Sequence, residues 1–90
     1  MNREVILYSA KMCGDCQHLK AFLDANGVQY ELRDIREQPQ YAEELEQRTG
    51  KQGVPYLQID GEWIRGYEPG KPFSEAFARK TLGLASSPGH

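Results

Sequence analysis

The sequence lacks an excess of either charge. Its 90 residues contain 11 Lys and Arg against 13 Asp and Glu, which gives a formal net charge of −2 at pH 7. A protein that is drawn to nucleic acid or to an anionic membrane by its overall charge needs a positive excess. The balance excludes that mode of binding, and we expect neither nucleic acid nor a membrane among the partners.

Long hydrophobic runs and internal repeats are also missing. No apolar stretch approaches the roughly 18 residues that cross a bilayer, and the run at residues 5–8 is too short for the core of a secretory signal. We therefore expect a cytoplasmic protein. The length suits a single domain, which we place at residues 1–84 and expect to be monomeric, followed by a flexible polar tail at residues 85–90.

Cysteine is scarce, since the chain contains only Cys13 and Cys16. Two cysteines are too few for the disulfide-dense scaffold of a small secreted protein. A bridge between them closes a very short loop and restricts the unfolded chain little. Their closeness favours chemistry over a structural crosslink.

Hydrophobic patterning predicts an α/β protein with the element order β-α-β-α-β-β-α. The strands are expected at residues 5–8, 28–33, 55–59 and 62–65. The helices are expected at residues 14–25, at a segment that residues 37–40 open and Thr49-Gly50 ends, and at 72–82. In the last helix Phe73, Phe77 and Thr81 are spaced at i, i+4 and i+8 and so fall on one side. A right-handed crossover makes the first two strands parallel neighbours, and the Asp60-Gly61 turn makes the last two antiparallel. The result is a four-stranded mixed sheet with helices on both faces.

The cysteine pair lies where the first buried strand leads into a helix. With Cys13 at the N-cap, its sulfur faces unpaired N–H groups of the first turn, which stabilise an anion. We expect the pKa of Cys13 to fall below the free value of about 8.5. Asp15 opposes the thiolate and Lys11 offsets that effect. Cys16, one turn later, is the expected resolving thiol.

Three less reactive interpretations of the pair compete with redox chemistry. A structural zinc site usually needs four ligands. Beyond the cysteines the chain offers only His18, which lies too close to Cys16, and His90 in the tail. The second interpretation is two unrelated buried thiols, and the third is an adaptor that keeps only the fold. A C-x-x-C motif beside a β-α-β pattern favours redox chemistry, and no bound metal is expected.

A proline begins the third predicted strand, in the sequence Gly53-Val54-Pro55. Proline is tolerated at the first residue of a strand, where no ladder N–H is needed. Base rates favour a trans Val54–Pro55 bond. A cis bond would leave the Val54 backbone free to pair with an extended substrate.

These segments together resemble a glutaredoxin. The resemblance rests on Cys13-Gly14-Asp15-Cys16 after the first strand, on Gly53-Val54-Pro55, and on Gly66 after the hairpin, and it extends over residues 4–83. It implies a thioredoxin fold with strand order 2-1-3-4, a cis Pro55 beside the cysteines, and dithiol–disulfide exchange through Cys13. The residues that the resemblance implies for substrate or glutathione binding are Lys11, Gln52, Val54, Pro55, Gly66 and Tyr67.

The sequence also departs from the usual glutaredoxin pattern. Gly14-Asp15 replaces Pro-Tyr, Lys11 lies two rather than three residues before the first cysteine, and Gly53 replaces threonine. The turn 66–69 instead resembles glutaredoxin-like redoxins that take electrons from thioredoxin reductase and pass them to ribonucleotide reductase. Trp63 adds to that likeness, although it is equally expected as a sheet aromatic opposite Gln58.

The expected function is that of a small dithiol–disulfide oxidoreductase with no bound cofactor. It would reduce protein or glutathione mixed disulfides, with glutathione as reductant or co-substrate, or with thioredoxin reductase as the electron source. The resemblance also leaves open glutathione-assisted binding of an iron–sulfur cluster by a dimer. Gly14 in place of proline favours that alternative, and the negative charge of Asp15 disfavours it.

Overall fold

A computed structural model of the protein describes residues 4–83, so the predicted tail at 85–90 lies outside the described residues. The elements follow the predicted order. They are β1 (Val5–Ser9), α1 (Gly14–Ala25), β2 (Glu31–Asp34), α2 (Pro39–Thr49), β3 (Tyr56–Ile59), β4 (Glu62–Arg65) and α3 (Glu75–Leu82). Within this range every helix is too short or too polar to cross a bilayer.

The four strands form one mixed sheet in the order β2-β1-β3-β4. β1 is parallel to β2 and antiparallel to β3, and β3 and β4 form an antiparallel hairpin. Asp60 and Gly61 connect the hairpin with φ values of 50° and 89°, which suits a tight two-residue turn. The predicted sheet type and the strand order implied by the resemblance are confirmed.

β1 is buried on both faces and separates two hydrophobic clusters. Val5 and Leu7 face the larger cluster, which α1 and α3 cover, and Ile6 and Tyr8 face the smaller one beneath α2. α1 and α3 contribute to the larger cluster the residues Leu19, Phe22, Leu23, Ala78 and Leu82. A continuous apolar run is thus explained by helices on both faces of the sheet.

The predicted position of the second strand was wrong. β2 begins at Glu31 rather than at residue 28. The N–H of Val28 donates a hydrogen bond to the carbonyl of Leu23, so this residue belongs to the C-terminal turn of α1. Leu32, expected to be half-buried, is 43% exposed because β2 lies at the edge of the sheet.

The predicted start of the last helix, at residue 72, was also wrong. α3 begins only after Ser74, whose hydroxyl accepts a hydrogen bond from the N–H of Phe77 and caps the helix. Phe73 therefore precedes the helix and packs beside Phe22. The residues of α3 that are buried are Ala78 and Leu82, one helical turn apart.

A polar network ties α2 to the sheet at Tyr8. The Tyr8 hydroxyl donates to Glu44 Oε1 at 2.7 Å and accepts from an Arg33 terminal nitrogen at 2.9 Å. Arg33 also pairs with Glu31 and Glu44. Burial of the Tyr8 ring, together with its hydrogen bond to Glu44, raises the pKa of Tyr8 to about 12.

This shift predicts a loss of stability at alkaline pH. An unfolded tyrosine titrates near pH 10, so between about pH 10 and 12 the unfolded chain binds fewer protons than the folded one. The free energy of unfolding should therefore fall across this interval, by on the order of 2 kcal/mol from Tyr8. Urea unfolding at several pH values measures the slope.

Tyr30 provides the matched comparison, since burial and its hydrogen bond to Asp24 raise the pKa of Tyr30 to about 12 as well. Tyr8→Phe should reduce the slope, and the double variant Tyr8→Phe/Tyr30→Phe should reduce it further. A Tyr8→Phe variant with the slope of the parent protein would contradict the expectation.

Candidate active site

Cys13 is the N-cap residue of α1, as predicted. Its backbone is extended, with φ −98° and ψ 113°, and its Sγ accepts a hydrogen bond from the N–H of Cys16 at 3.1 Å. The two cysteines form a disulfide, with their Cα atoms 5.2 Å apart. The end of buried β1 and the first turn of α1 together hold this pair in place.

The two sulfur-bearing residues differ in exposure. Cys16 is completely buried on the core side of α1, whereas Cys13 is partly exposed. Sγ of Cys13 lies 3.9 Å from the carbonyl oxygen of Val54. A molecule that approaches from solvent therefore meets Cys13 and the loop of residues 53–55 before it can reach Cys16.

The loop of residues 53–55 contains a cis peptide bond between Val54 and Pro55, which confirms what the resemblance implied. Pro55 is buried, and its carbonyl accepts a hydrogen bond from the N–H of Gly66 at 3.1 Å. A Cβ atom at Gly66 would lie 3.0 Å from that carbonyl oxygen and 3.1 Å from a methyl group of Leu19. The absence of a side chain at Gly66 permits this close approach.

A groove with a volume of about 450 Å³ opens beside Cys13, and we call it the Cys13 groove. Gln52 and Val54, both predicted to contact substrate, line it. Ile35 and Arg36 line it as well and were not predicted. The missed signal was topological, because β2 runs parallel to β1 and the residues after both strands emerge at the same edge of the sheet.

Lys11 does not line the Cys13 groove. It is exposed, and its Nζ lies 2.6 Å from a carboxylate oxygen of Glu37. The hydrogen bond and the charge of Glu37 raise the pKa of Lys11. The structure thus places the Lys11 charge against Glu37, and its role toward the cysteines stays a prediction.

Tyr67 lies on the opposite side of the 53–55 loop from the Cys13 groove. There it lines a second groove of about 290 Å³, which also includes Lys51, Gly53, Tyr56 and Arg65 and which we call the Tyr67 groove. A Cβ atom at Gly53 would lie 2.8 Å from the Tyr67 hydroxyl oxygen. The Tyr67 side chain therefore occupies the space that a side chain at residue 53 would need.

Trp63 lies opposite Gln58 in the sheet, as one of the two interpretations of the sequence predicted. It pairs with Gln58 across the hairpin, and its ring centroid lies 5.0 Å from that of Tyr8 and 6.2 Å from that of Tyr56. It belongs to the cluster beneath α2.

The fold and the site define a thioredoxin-like protein with a C-x-x-C disulfide. The glutaredoxin family profile matches residues 5–64, and the chain belongs to the glutaredoxin family. A direct comparison with curated proteins finds no match.

Solved structures agree with this assignment. A thioredoxin-like protein is 28% identical with a TM-score of 0.64, over 71% of this chain and 88% of that one. The glutaredoxin of Archaeoglobus fulgidus shares the fold at 22% identity and a TM-score of 0.66, and the match covers 87% of this chain and 84% of that one. A buckwheat glutaredoxin, solved as a glutathione complex, is 26% identical with a TM-score of 0.62, and the match covers 70% of this chain and 60% of that one. Family and disulfide together support a thiol–disulfide redox function.

The contact at Gly66 predicts that Gly66→Ala is destabilising. The new methyl group would press on the Pro55 carbonyl and on Leu19, both of which are held by their surroundings. Overpacking of this kind costs about 1–3 kcal/mol, which urea unfolding measures. Gly14→Ala is the control, because a Cβ atom there meets nothing within 4 Å. Equal unfolding midpoints for the two variants would contradict the prediction.

The contact between Gly53 and Tyr67 predicts that substitutions at these residues are coupled. Gly53→Ala should displace the Tyr67 ring and cost about 0.5–1 kcal/mol of stability. In a Tyr67→Phe background the nearest ring atom is 3.7 Å away, an ordinary contact, so the cost should largely disappear. Urea unfolding of the four proteins gives the coupling energy. A coupling energy of zero would show that the hydroxyl does not restrict residue 53.

Proposed function

We propose that this protein is a dithiol–disulfide oxidoreductase that reduces protein disulfides or glutathione mixed disulfides. The observation that carries the proposal is the unequal exposure of a bonded cysteine pair at a helix N-terminus. Cys13 is at the surface and caps α1, and Cys16 is buried behind it. An exposed attacking thiol and a protected resolving thiol are what a two-step exchange requires.

The local structure supports a reactive Cys13 thiolate in the reduced protein. The N–H of Cys16 points at Sγ of Cys13, and the unpaired amides of the first turn add positive potential. These dipoles stabilise the anion relative to the thiol. Asp15 lies in the same turn and opposes the anion, so we expect weaker stabilisation than at a site without it.

The exchange proceeds in two displacements. The Cys13 thiolate attacks one sulfur of the substrate disulfide, forms a mixed disulfide with it and releases the other substrate sulfur as a thiolate. The Cys16 thiolate then attacks Sγ of Cys13, forms the Cys13–Cys16 disulfide and releases the second substrate sulfur as a thiolate. The substrate gains two electrons and the protein loses two. Glutathione or a reductase restores the dithiol.

The residues that line the Cys13 groove favour a small polar thiol compound as one of the reactants. Arg36 adds a positive charge and Gln52 an amide to the groove next to Cys13. Glutathione is an anionic tripeptide, and we propose it as the reductant or co-substrate, with thioredoxin reductase as the other electron source. No tightly bound cofactor takes part, and the protein acts as a cytoplasmic monomer.

Cysteine variants test the order of the two displacements. Cys13→Ser should reduce the turnover of a protein disulfide to background, since no nucleophile then reaches the substrate. Cys16→Ser should accumulate a one-to-one mixed disulfide with the substrate, visible by mass spectrometry under non-reducing conditions. Far-ultraviolet circular dichroism serves as the folding control. Full turnover by Cys13→Ser would overturn the mechanism.

The reductant is identified by a coupled assay that follows NADPH consumption with a disulfide substrate. One arm contains glutathione and glutathione reductase, and the other contains thioredoxin reductase. Turnover in the first arm supports glutathione as the electron source, and turnover only in the second supports the reductase.

A visible absorbance band after anaerobic reconstitution with iron, sulfide and glutathione would instead favour cluster binding by a dimer.

A further inference from the structure

The Tyr67 groove lies against the same loop as the active site but is not used by the mechanism above. Gly53 lines the Tyr67 groove, whereas its neighbours Gln52 and Val54 line the Cys13 groove. Residues 52–54 therefore lie between the two grooves. A peptide whose cysteine reaches Cys13 would have to pass only this segment for a neighbouring residue to enter the Tyr67 groove.

Two cations line the Tyr67 groove. Lys51 and Arg65 are both exposed. Across residues 4–83 neither forms an ion pair, in contrast to Lys11 and Arg33, which pair with glutamates. No Asp or Glu stands among the residues that line this groove. The positive charge is consequently available to a ligand.

Contacts to Tyr67 orient the Arg65 side chain. Its Nε donates a hydrogen bond to the Tyr67 carbonyl at 3.2 Å, and its guanidinium carbon lies 5.7 Å from the centroid of the Tyr67 ring. With Nε engaged, the two terminal nitrogens remain to donate to a carboxylate. A held guanidinium loses less conformational freedom on binding than a free one, and its planar geometry suits carboxylates.

The size and charge of this groove indicate its ligand. A volume of about 290 Å³ accommodates one or two side chains rather than a folded element. The formal net charge of −2 does not favour a long polyanion such as a nucleic acid. Attraction of an anionic group must therefore come from the two cations of the groove. Tyr56 and Tyr67 add ring surface and hydroxyl groups to the two cations.

We propose that the Tyr67 groove binds acidic side chains that flank the disulfide of a partner protein and so selects which disulfides this protein reduces. The inference rests on the proposed disulfide exchange at Cys13. Lys51 and Arg65 act in it as specificity-determining residues through charge. They do not contact the reacting sulfur atoms.

The test compares two synthetic peptides that each carry one internal disulfide. One has Glu at the positions flanking both cysteines, and the other has Gln there. The parent protein should turn over the Glu peptide with a kcat/KM roughly threefold to tenfold higher, with the difference in KM, as expected for a few exposed charge pairs. The preference should shrink as salt increases, because the charges are solvent-exposed.

Variants assign the preference to the groove. Lys51→Gln/Arg65→Gln should bring the ratio of the two kcat/KM values to about one. Lys80→Gln is the matched control, since Lys80 is an exposed lysine of α3 that does not line the Tyr67 groove, and it should keep the parent ratio. A ratio near one for the parent protein, or an equal loss in Lys80→Gln, would overturn the inference.

An uncharged substrate separates this inference from the proposed function. Bis(2-hydroxyethyl) disulfide has no group for Lys51 or Arg65 to bind. No turnover of this compound or of either peptide by the parent protein would refute the proposed exchange itself. Turnover of all three without a preference for the Glu peptide would refute only the role of the Tyr67 groove.

Discussion

The hydrogen bond from the Cys16 N–H to Sγ of Cys13 is the interaction on which this site depends. It exists because β1 ends at residue 9 and α1 begins at Gly14, which leaves Cys13 as the cap of an unsatisfied helix end. The same amides that lack partners within the helix are the ones that stabilise a sulfur anion. Secondary structure and reactivity have one physical origin here.

The rigidity of the surroundings decides what the capped sulfur can meet. β1 is buried on both faces, and Cys16 is packed into the core, so the pair cannot shift without disturbing the sheet. On the other side of the Cys13 sulfur, the hydrogen bond from the Gly66 N–H to the Pro55 carbonyl holds the 53–55 loop. The space beside Cys13 therefore has two walls that are both anchored in the core of the domain.

That loop also explains how one short segment serves two grooves. Gln52 and Val54 line the Cys13 groove, and Gly53 lies beside Tyr67. Tyr67 occupies the space beside Gly53 and at the same time orients Arg65. One short segment thus contributes residues to two different grooves.

Local signals in the sequence were sufficient for much of this description. The C-x-x-C spacing, the doubly buried run at residues 5–8, the Asp60-Gly61 turn and the helix boundaries of α1 each act over a few residues, so pattern alone predicted the element order and the N-cap position. The errors at β2 and α3 arose where caps compete with hydrophobic periodicity. The hydrogen bond from the Val28 N–H to the Leu23 carbonyl keeps Val28 at the end of α1, and the Ser74 cap makes α3 begin at Glu75, three residues later than predicted.

Residues distant in the sequence were decided by the tertiary structure alone. The closeness of Ile35 and Arg36 to Cys13 follows from the parallel pairing of β1 and β2, and the pairing of Lys11 with Glu37 follows from the same edge of the sheet. The Tyr67 groove needs α2, the 53–55 loop and β4 to meet. Composition and spacing thus determined that a cysteine pair lies at a helix N-terminus, whereas long-range packing determined which charges surround it, because no local pattern encodes contacts between segments distant in the sequence.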